Sequence, residues 1–137
     1  MTAHNRKLKT SVLELDGTDY AEQLTSYKLV NNTDDGDKVY TFAADGEFRE
    51  ETDDDYALEL KFVADWRAGG ISRFLSENDR ETVPFTLGHL PGISAEHGEW
   101  TGTCVIKAPD VGGDVRDTDM TEINLSVIGK PTYNPEA

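Results

Sequence analysis

Cysteine, lysine, arginine and long apolar runs are what this chain has least of, and each shortage closes off a class of protein. The single cysteine, Cys104, cannot form an internal disulfide, which suits folding in a reducing cytoplasm. Only 13 Lys and Arg stand against 27 Asp and Glu, giving a net charge of −14. Tight phosphate binding needs clustered cations, so specific nucleic-acid binding is disfavoured. No apolar run is long enough for a bilayer-spanning helix, so no membrane partner is expected. Arg6, Lys7 and Lys9 lead into no apolar segment, so residues 1–10 read as a mobile basic arm and not as a secretory signal. The three histidines, His4, His89 and His97, are scattered with no second ligand at metal spacing. A length of 137 residues suits one modest domain over 1–137 with a single core.

What is present is alternation. In Tyr56 to Val63, Leu58, Leu60 and Phe62 alternate with Glu59, Lys61 and Val63, the pattern of a half-buried strand. Asp65-Trp66 ends it, and Gly69-Gly70 allows a turn where side chains would clash. Ile71, Phe74 and Leu75 then fall at helical spacing, predicting a short helix over about 71–78 closed by Asn78. Earlier, Leu13 and Leu15 mark a strand that ends in the Asp16-Gly17 turn, and Tyr20 to Val30 is a second extended run with a bulge near Thr25-Ser26. Lys38 to Ala43 reads as the return strand of a long hairpin with that run, and Asp45 to Asp55 as an acidic loop.

Downstream, Val83, Phe85 and Leu87 alternate, although Pro84 argues for an edge or strand-start position. His89 to Gly98 reads as a loop. Trp100, Cys104 and Ile106 share one face of a strand over Glu99 to Lys107, and Ile123, Leu125 and Val127 one face of another over Thr121 to Ile128. Pro109 to Met120 reads as a Gly- and Asp-rich connection. Lys130 to Ala137, with Pro131 and Pro135, reads as an extended C-terminal arm following a β core over 11–129. Seven or eight short strands and one flanking helix predict an all-β sandwich or barrel.

The charge is unevenly placed. Between Asn31 and Tyr56 stand Asp34, Asp35, Asp37, Asp45, Glu47, Glu50, Glu51, Asp53, Asp54 and Asp55 against Lys38 and Arg49, a local balance of −8. The Asp34-Asp35-Gly36-Asp37 run lacks the bidentate Glu of a calcium loop and reads as a solvated turn. Asp53-Asp54-Asp55 has no partner base for acid–base work, and Cys104 reads as a buried thiol, not a nucleophile. Trp66 and Trp100 read as corner and core packing more than as a sugar or base platform. Gly112-Gly113 precedes acidic residues and lacks the Lys of a phosphate loop. These residues imply no catalysis, metal or cofactor.

The order of the central pieces resembles the tail tube, or major tail, proteins of long-tailed bacteriophages. The likeness rests on Val63, Asp65, Trp66, Gly69, Gly70, Arg73, Phe74 and Leu75, and continues through Val83-Pro84-Phe85-Thr86 and Glu99-Trp100-Thr101-Gly102-Thr103. Gly112-Gly113-Asp114-Val115 and Val127-Ile128-Gly129-Lys130-Pro131-Thr132 complete it, so that it spans Leu13 to Thr132. The resemblance implies a β-sandwich or barrel of the tail tube type, whose copies form stacked six-membered rings around a channel for genome DNA. It implies a tail tip or initiator, a length-setting tape measure and a tail terminator as partners, and assembly in the host cytoplasm into the virion tail. On that reading Asp45, Glu47, Glu50 and Glu51 line the lumen or its rim, or else form only a soluble loop. Asp34, Asp35, Asp37, Asp53, Asp54 and Asp55 belong to an inter-subunit loop, and Trp66, Gly69, Gly70, Phe74, Leu75 and Trp100 form the core and corner signature.

Two other tube-free or tube-related readings compete. A monomeric immunoglobulin-like binding or decoration domain fits the strand pattern, but the Cys-Trp-Cys framework is absent. The related tube of a contractile secretion system differs at the Asp-Trp corner and the Gly-Lys-Pro-Thr ending. If the arms and acidic loop are disordered in the free chain, ordering them costs entropy and delays polymerisation until a template is present.

Overall fold

The computed structural model describes residues 7, 10–89 and 97–135. Seven strands form one antiparallel sheet curled into a half-barrel, a single sheet and not two packed face to face. They are β1 (Ser11–Leu15), β2 (Thr18–Asp19), β3 (Leu24–Asn31), β6 (Tyr56–Val63), β7 (Thr82–His89), β8 (Gly98–Val105) and β9 (Met120–Asn134). Two more, β4 (Lys38–Tyr40) and β5 (Glu47–Arg49), pair only with each other. The helix α1 is Ile71–Glu77. The sheet order is β2-β1-β7-β8-β9-β6-β3.

The period-two residues do what their spacing requires. Leu13, Leu15, Leu58, Leu60, Phe62, Phe85, Leu87, Cys104, Leu125 and Val127 all turn to the concave side and are buried there. Across the strands, Leu58 stands opposite Leu29 and Leu125, and Leu60 opposite Tyr27 and Ile123, so each apolar row is continued by its neighbours. Ile71 and Leu75 of α1 are fully buried in the same core, each stabilising it by roughly 1.5–3 kcal/mol. Tyr20 and Phe74 meet with ring centroids 5.5 Å apart. Asn78 ends the helix as its spacing predicts, donating from Nδ2 to the Phe74 carbonyl at 2.9 Å.

Four sequence expectations are corrected. Lys38 to Ala43 is not the return strand for β3; β6 is, with Asn31 opposite Tyr56. Only Lys38–Tyr40 of that run is strand, and alternation does not name a partner: leucines on both β3 and β6 share the core. Asp45 to Asp55 is not all loop, because Glu47, Phe48 and Arg49 make β5. Pro84 lies in an interior strand: β1 has already ended opposite it, and the Asp16 N–H donates to the Pro84 carbonyl at 2.9 Å. Its missing N–H therefore falls at the Asp16-Gly17 turn and breaks no ladder.

The fourth correction concerns the C-terminal arm. β9 does not stop at Gly129 but runs to Asn134, with Thr132, Tyr133 and Asn134 opposite Thr101, Trp100 and Glu99. The register shifts between Thr101 and Thr103, where Gly129 has φ +69° and Pro131 is buried. A bulge absorbs a proline that a regular ladder would reject. The bulge expected near Thr25-Ser26 is present as a register shift between Leu24 and Ser26. Most of the basic arm, and residues 90–96 of the expected His89–Gly98 loop, lie outside the described residues.

Candidate assembly surface

The corner after β6 is built around Asp65. Its N–H donates to Ser72 Oγ at 3.1 Å, and the Ser72 N–H donates back to its carbonyl at 3.1 Å. Its carboxylate takes Arg67 Nε at 2.8 Å and Arg67 Nη2 at 2.9 Å, and this guanidinium holds the Asp65 carboxyl below the usual carboxylate range. The two glycines divide the work. Gly69 has φ +83° with open space around it, whereas a Cβ on Gly70 would lie 2.4 Å from the Asp65 carbonyl oxygen. Of the corner signature, Leu75 is buried and Phe74 partly so, while Trp66 is 40% exposed and belongs to the surface.

Between β3 and β6 the chain leaves the sheet. The Asn32 N–H donates to the Asp55 carbonyl at 2.6 Å and the Asp55 N–H to Thr33 Oγ1 at 2.9 Å, so the two legs start out together. Farther along, Glu50 N–H reaches the Asp37 carbonyl at 2.9 Å and Thr52 Oγ1 the Asp34 carbonyl. Gly36 sits where a Cβ would strike the Glu50 backbone, which lets the legs approach. β4 and β5 close the projection, with Val39 opposite Phe48. Residues 32–55 are thus one long hairpin, holding every candidate lumen and inter-subunit carboxylate.

Its electrostatics are unbalanced. Lys38 pairs with Glu47 at 3.1 Å, and Arg49 donates to the Gly36 carbonyl at 3.0 Å. Among the described residues, Asp34, Asp35, Asp37, Asp45, Glu50, Glu51, Asp53, Asp54 and Asp55 have no cationic partner. The hairpin also leaves Tyr40, Phe42 and Phe48 exposed. A two-stranded ribbon with aromatics in water has no core of its own.

The sheet has edges of two kinds. Beside β1, β2 pairs with Glu14 and Leu15, the Tyr20 N–H donates to the Leu13 carbonyl at 2.8 Å, and the Leu13 N–H reaches Asp19 Oδ1 at 3.3 Å, so that edge is largely covered. On the other side β3 ends the sheet, and among the described residues no strand pairs beyond it. β6 covers β9 only as far as Val127, so among the described residues Ile128 to Tyr133 have a strand on one side alone.

Sequence reasoning missed the link across the mouth of the half-barrel. Tyr27 Oη on β3 lies 2.6 Å from His89 Nδ1 on β7, four places away in sheet order. His89 packs edge-on against Trp100, and Trp100 stacks on Tyr133 at 4.8 Å between centroids. Burial raises the Tyr27 hydroxyl above its ordinary range. Nothing in the local patterns of β3 or β7 signals this contact. Cys104 is fully buried, and desolvation pushes its thiol up to about 11. Among the described residues, no three His, Cys, Asp or Glu converge as a metal site, and no helix is long and apolar enough to cross a membrane. No protein-family model matches the chain, and no curated protein matches it.

Proposed function

We propose that the chain is the subunit of a hollow tube of the phage tail type, joined in six-membered rings that stack into a channel for genome DNA. The observation that carries this reading is the incomplete sheet. Among the described residues, β3 and the Ile128 to Tyr133 stretch of β9 offer two different edges with no further strand beside them. A head-to-tail contact needs two different surfaces and closes into a ring by rotation, whereas one self-complementary edge would stop at a dimer. Only closing a barrel removes sheet edges altogether, and strands contributed by neighbouring copies can complete that closure.

The long hairpin supports stacking, because it carries exposed aromatics away from the body that made it. The acid excess supports a passage for DNA, since carboxylates along a bore repel phosphates where a basic lining would hold them. In this account Asp45, Glu47, Glu50 and Glu51 face the lumen or its rim, and Asp34, Asp35, Asp37, Asp53, Asp54 and Asp55 sit between copies. The tail tip, tape measure and terminator are the partners that start, measure and end the polymer. The particle is assembled in the host cytoplasm.

Electron microscopy of the concentrated protein tests the reading. Rings or tubes are the expected result, and a persistent monomer that binds glycans favours the binding-domain alternative. Changing Glu47, Glu50 and Glu51 together to Lys leaves tubes that assemble but deliver DNA poorly. Normal infectivity of that variant removes these residues from the lumen.

A further inference from the structure

We infer that the basic segment Arg6–Thr10 closes the open seam of the half-barrel by pairing with the outer edge of β3 in the same chain, and so withholds that edge from other copies. The closure stands apart from the tube reading; only its consequence for assembly rests on that reading. The seam is a groove of about 440 Å³ with Thr10 and Ser11 on one bank and Leu24 to Tyr27 on the other. On the first bank β2 and Asp19 cover β1 from Leu13 to Leu15, which among the described residues leaves Ser11 and Val12 open. On the second bank no described strand lies beyond β3. Sheet edges left bare in this way invite indiscriminate pairing unless something covers them.

Direction and charge identify the occupant. Every pairing along β1-β7-β8-β9-β6-β3 is antiparallel and the row has an even number of strands, so β1 and β3 run in opposite directions, as closure of an antiparallel barrel requires. Two contacts set the level across the seam. The Leu13 carbonyl takes the Tyr20 N–H a few residues before β3, and Ser11 stands opposite His89, which Tyr27 reaches at 2.6 Å. Chain continued upstream from Ser11 therefore passes along Tyr27 to Asn31. Five extended residues span about 17 Å, so 6–10 match that stretch in length. Of these five, Lys7 and Thr10 are among the described residues. Along the edge itself Glu22 and Lys28 balance. Beyond Asn31 stand Asp34, Asp35, Asp53, Asp54 and Asp55, without cationic partners among the described residues, and the segment brings Arg6, Lys7 and Lys9 toward them with no acidic residue of its own.

Nuclear magnetic resonance of the full-length chain in dilute solution tests the closure. Cross-strand proton contacts between Arg6–Thr10 and Tyr27–Asn31 are expected, with the β3 amides that point away from β6 protected from exchange. Lys7→Pro/Leu8→Pro bars the pairing, because successive N–H groups alternate in direction and one of the two lost belongs to the ladder. Arg6→Glu/Lys7→Glu/Lys9→Glu reverses the charge and leaves the backbone able to pair. Each variant is expected to speed exchange at those β3 amides at least tenfold while β8 keeps its protection, and circular dichroism verifies folding. Molar salt is expected to speed it severalfold in the wild type. On the tube reading both variants also assemble at lower protein concentration than the wild type. Wild-type edge amides that exchange freely, or stay protected in both variants, overturn the closure and leave the tube intact. Variants that open the edge yet assemble no more readily than a wild type that forms tubes overturn its role in withholding that edge. Protection lost on substitution, with no assembly of any chain at any concentration, keeps the closure and removes the tube.

Discussion

Replacing each glycine of the Gly69-Gly70 pair by alanine separates two physical effects that the sequence presents as one. At Gly69 the backbone has φ +83° and nothing lies near the new Cβ, so the cost is conformational alone, about 1 kcal/mol. At Gly70 the φ of −80° suits alanine, but the Cβ would sit 2.4 Å from the Asp65 carbonyl oxygen and 2.6 Å from its Cγ. Asp65 cannot yield cheaply, because it is tied to Ser72 in both directions and to Arg67. Overpacking of about 1–3 kcal/mol plus a lost hydrogen bond of about 1 kcal/mol gives roughly 3 kcal/mol. For a chain of this length that is a fall in Tm of about 10 °C, against about 3 °C for Gly69→Ala. Asparagine, which tolerates positive φ, is expected to recover part of the loss at 69 and to worsen it at 70. Thermal and urea unfolding followed by circular dichroism measure both. Equal losses, or a larger one at 69, would refute the division of roles.

Two titrations and one exchange experiment extend the reasoning. The Cys104 thiol, raised to about 11 from 9.0, stays neutral in the folded chain while the unfolded thiol ionises. Its contribution is fully present below pH 9 and is lost as pH rises toward 11, about 2–3 kcal/mol in all, and Cys104→Ala should flatten that part of the stability profile. The Asp65 carboxyl is held low by Arg67, so its contribution is present above the ordinary carboxylate range and is lost as pH falls through the folded value. Arg67→Ala should move the Asp65 titration upward in NMR spectra, and an unmoved titration would show that the pair is idle in solution. Tyr27→Phe removes the hydroxyl that bridges to His89, so hydrogen exchange at β3 amides should quicken severalfold while β8 stays protected. Unchanged exchange at β3 would mean that the half-barrel holds its shape without this link.

The strands that bury one face were legible because burial imposes period two: β6, β8 and the first half of β9 appear where Leu58, Cys104 and Ile123 place them. The helix was legible from Ile71, Phe74 and Leu75 with Asn78 as its stop. Pairing was not. Val39 and Tyr40 read as strand, but the choice between β3 and β5 as partner depends on which face finds a core, and that is a property of the whole sheet. In the sequence Pro131 reads as a stop, because the bulge that accommodates it depends on the shift of β8 against β9. Sheet curvature was equally hidden, so one curled sheet stands where either a sandwich or a barrel was expected.

For the assembly surface, composition located the acidic segment correctly but not its form. A loop and a projecting hairpin have the same charge count, and only the Asn32–Asp55 and Glu50–Asp37 backbone bonds distinguish them. The exposed position of Trp66 and the four-strand contact of Tyr27, His89, Trp100 and Tyr133 join residues far apart in the chain. No local pattern encodes such meetings.

A three-dimensional reconstruction of the assembled particle by electron microscopy tests most directly whether neighbours complete this sheet. The account predicts six-fold rings in which the outer side of β3 is hydrogen-bonded to a strand of the adjoining copy and carboxylates face the bore. A particle without six-fold order, a β3 edge left in solvent, or a bore coated with Lys and Arg would contradict it.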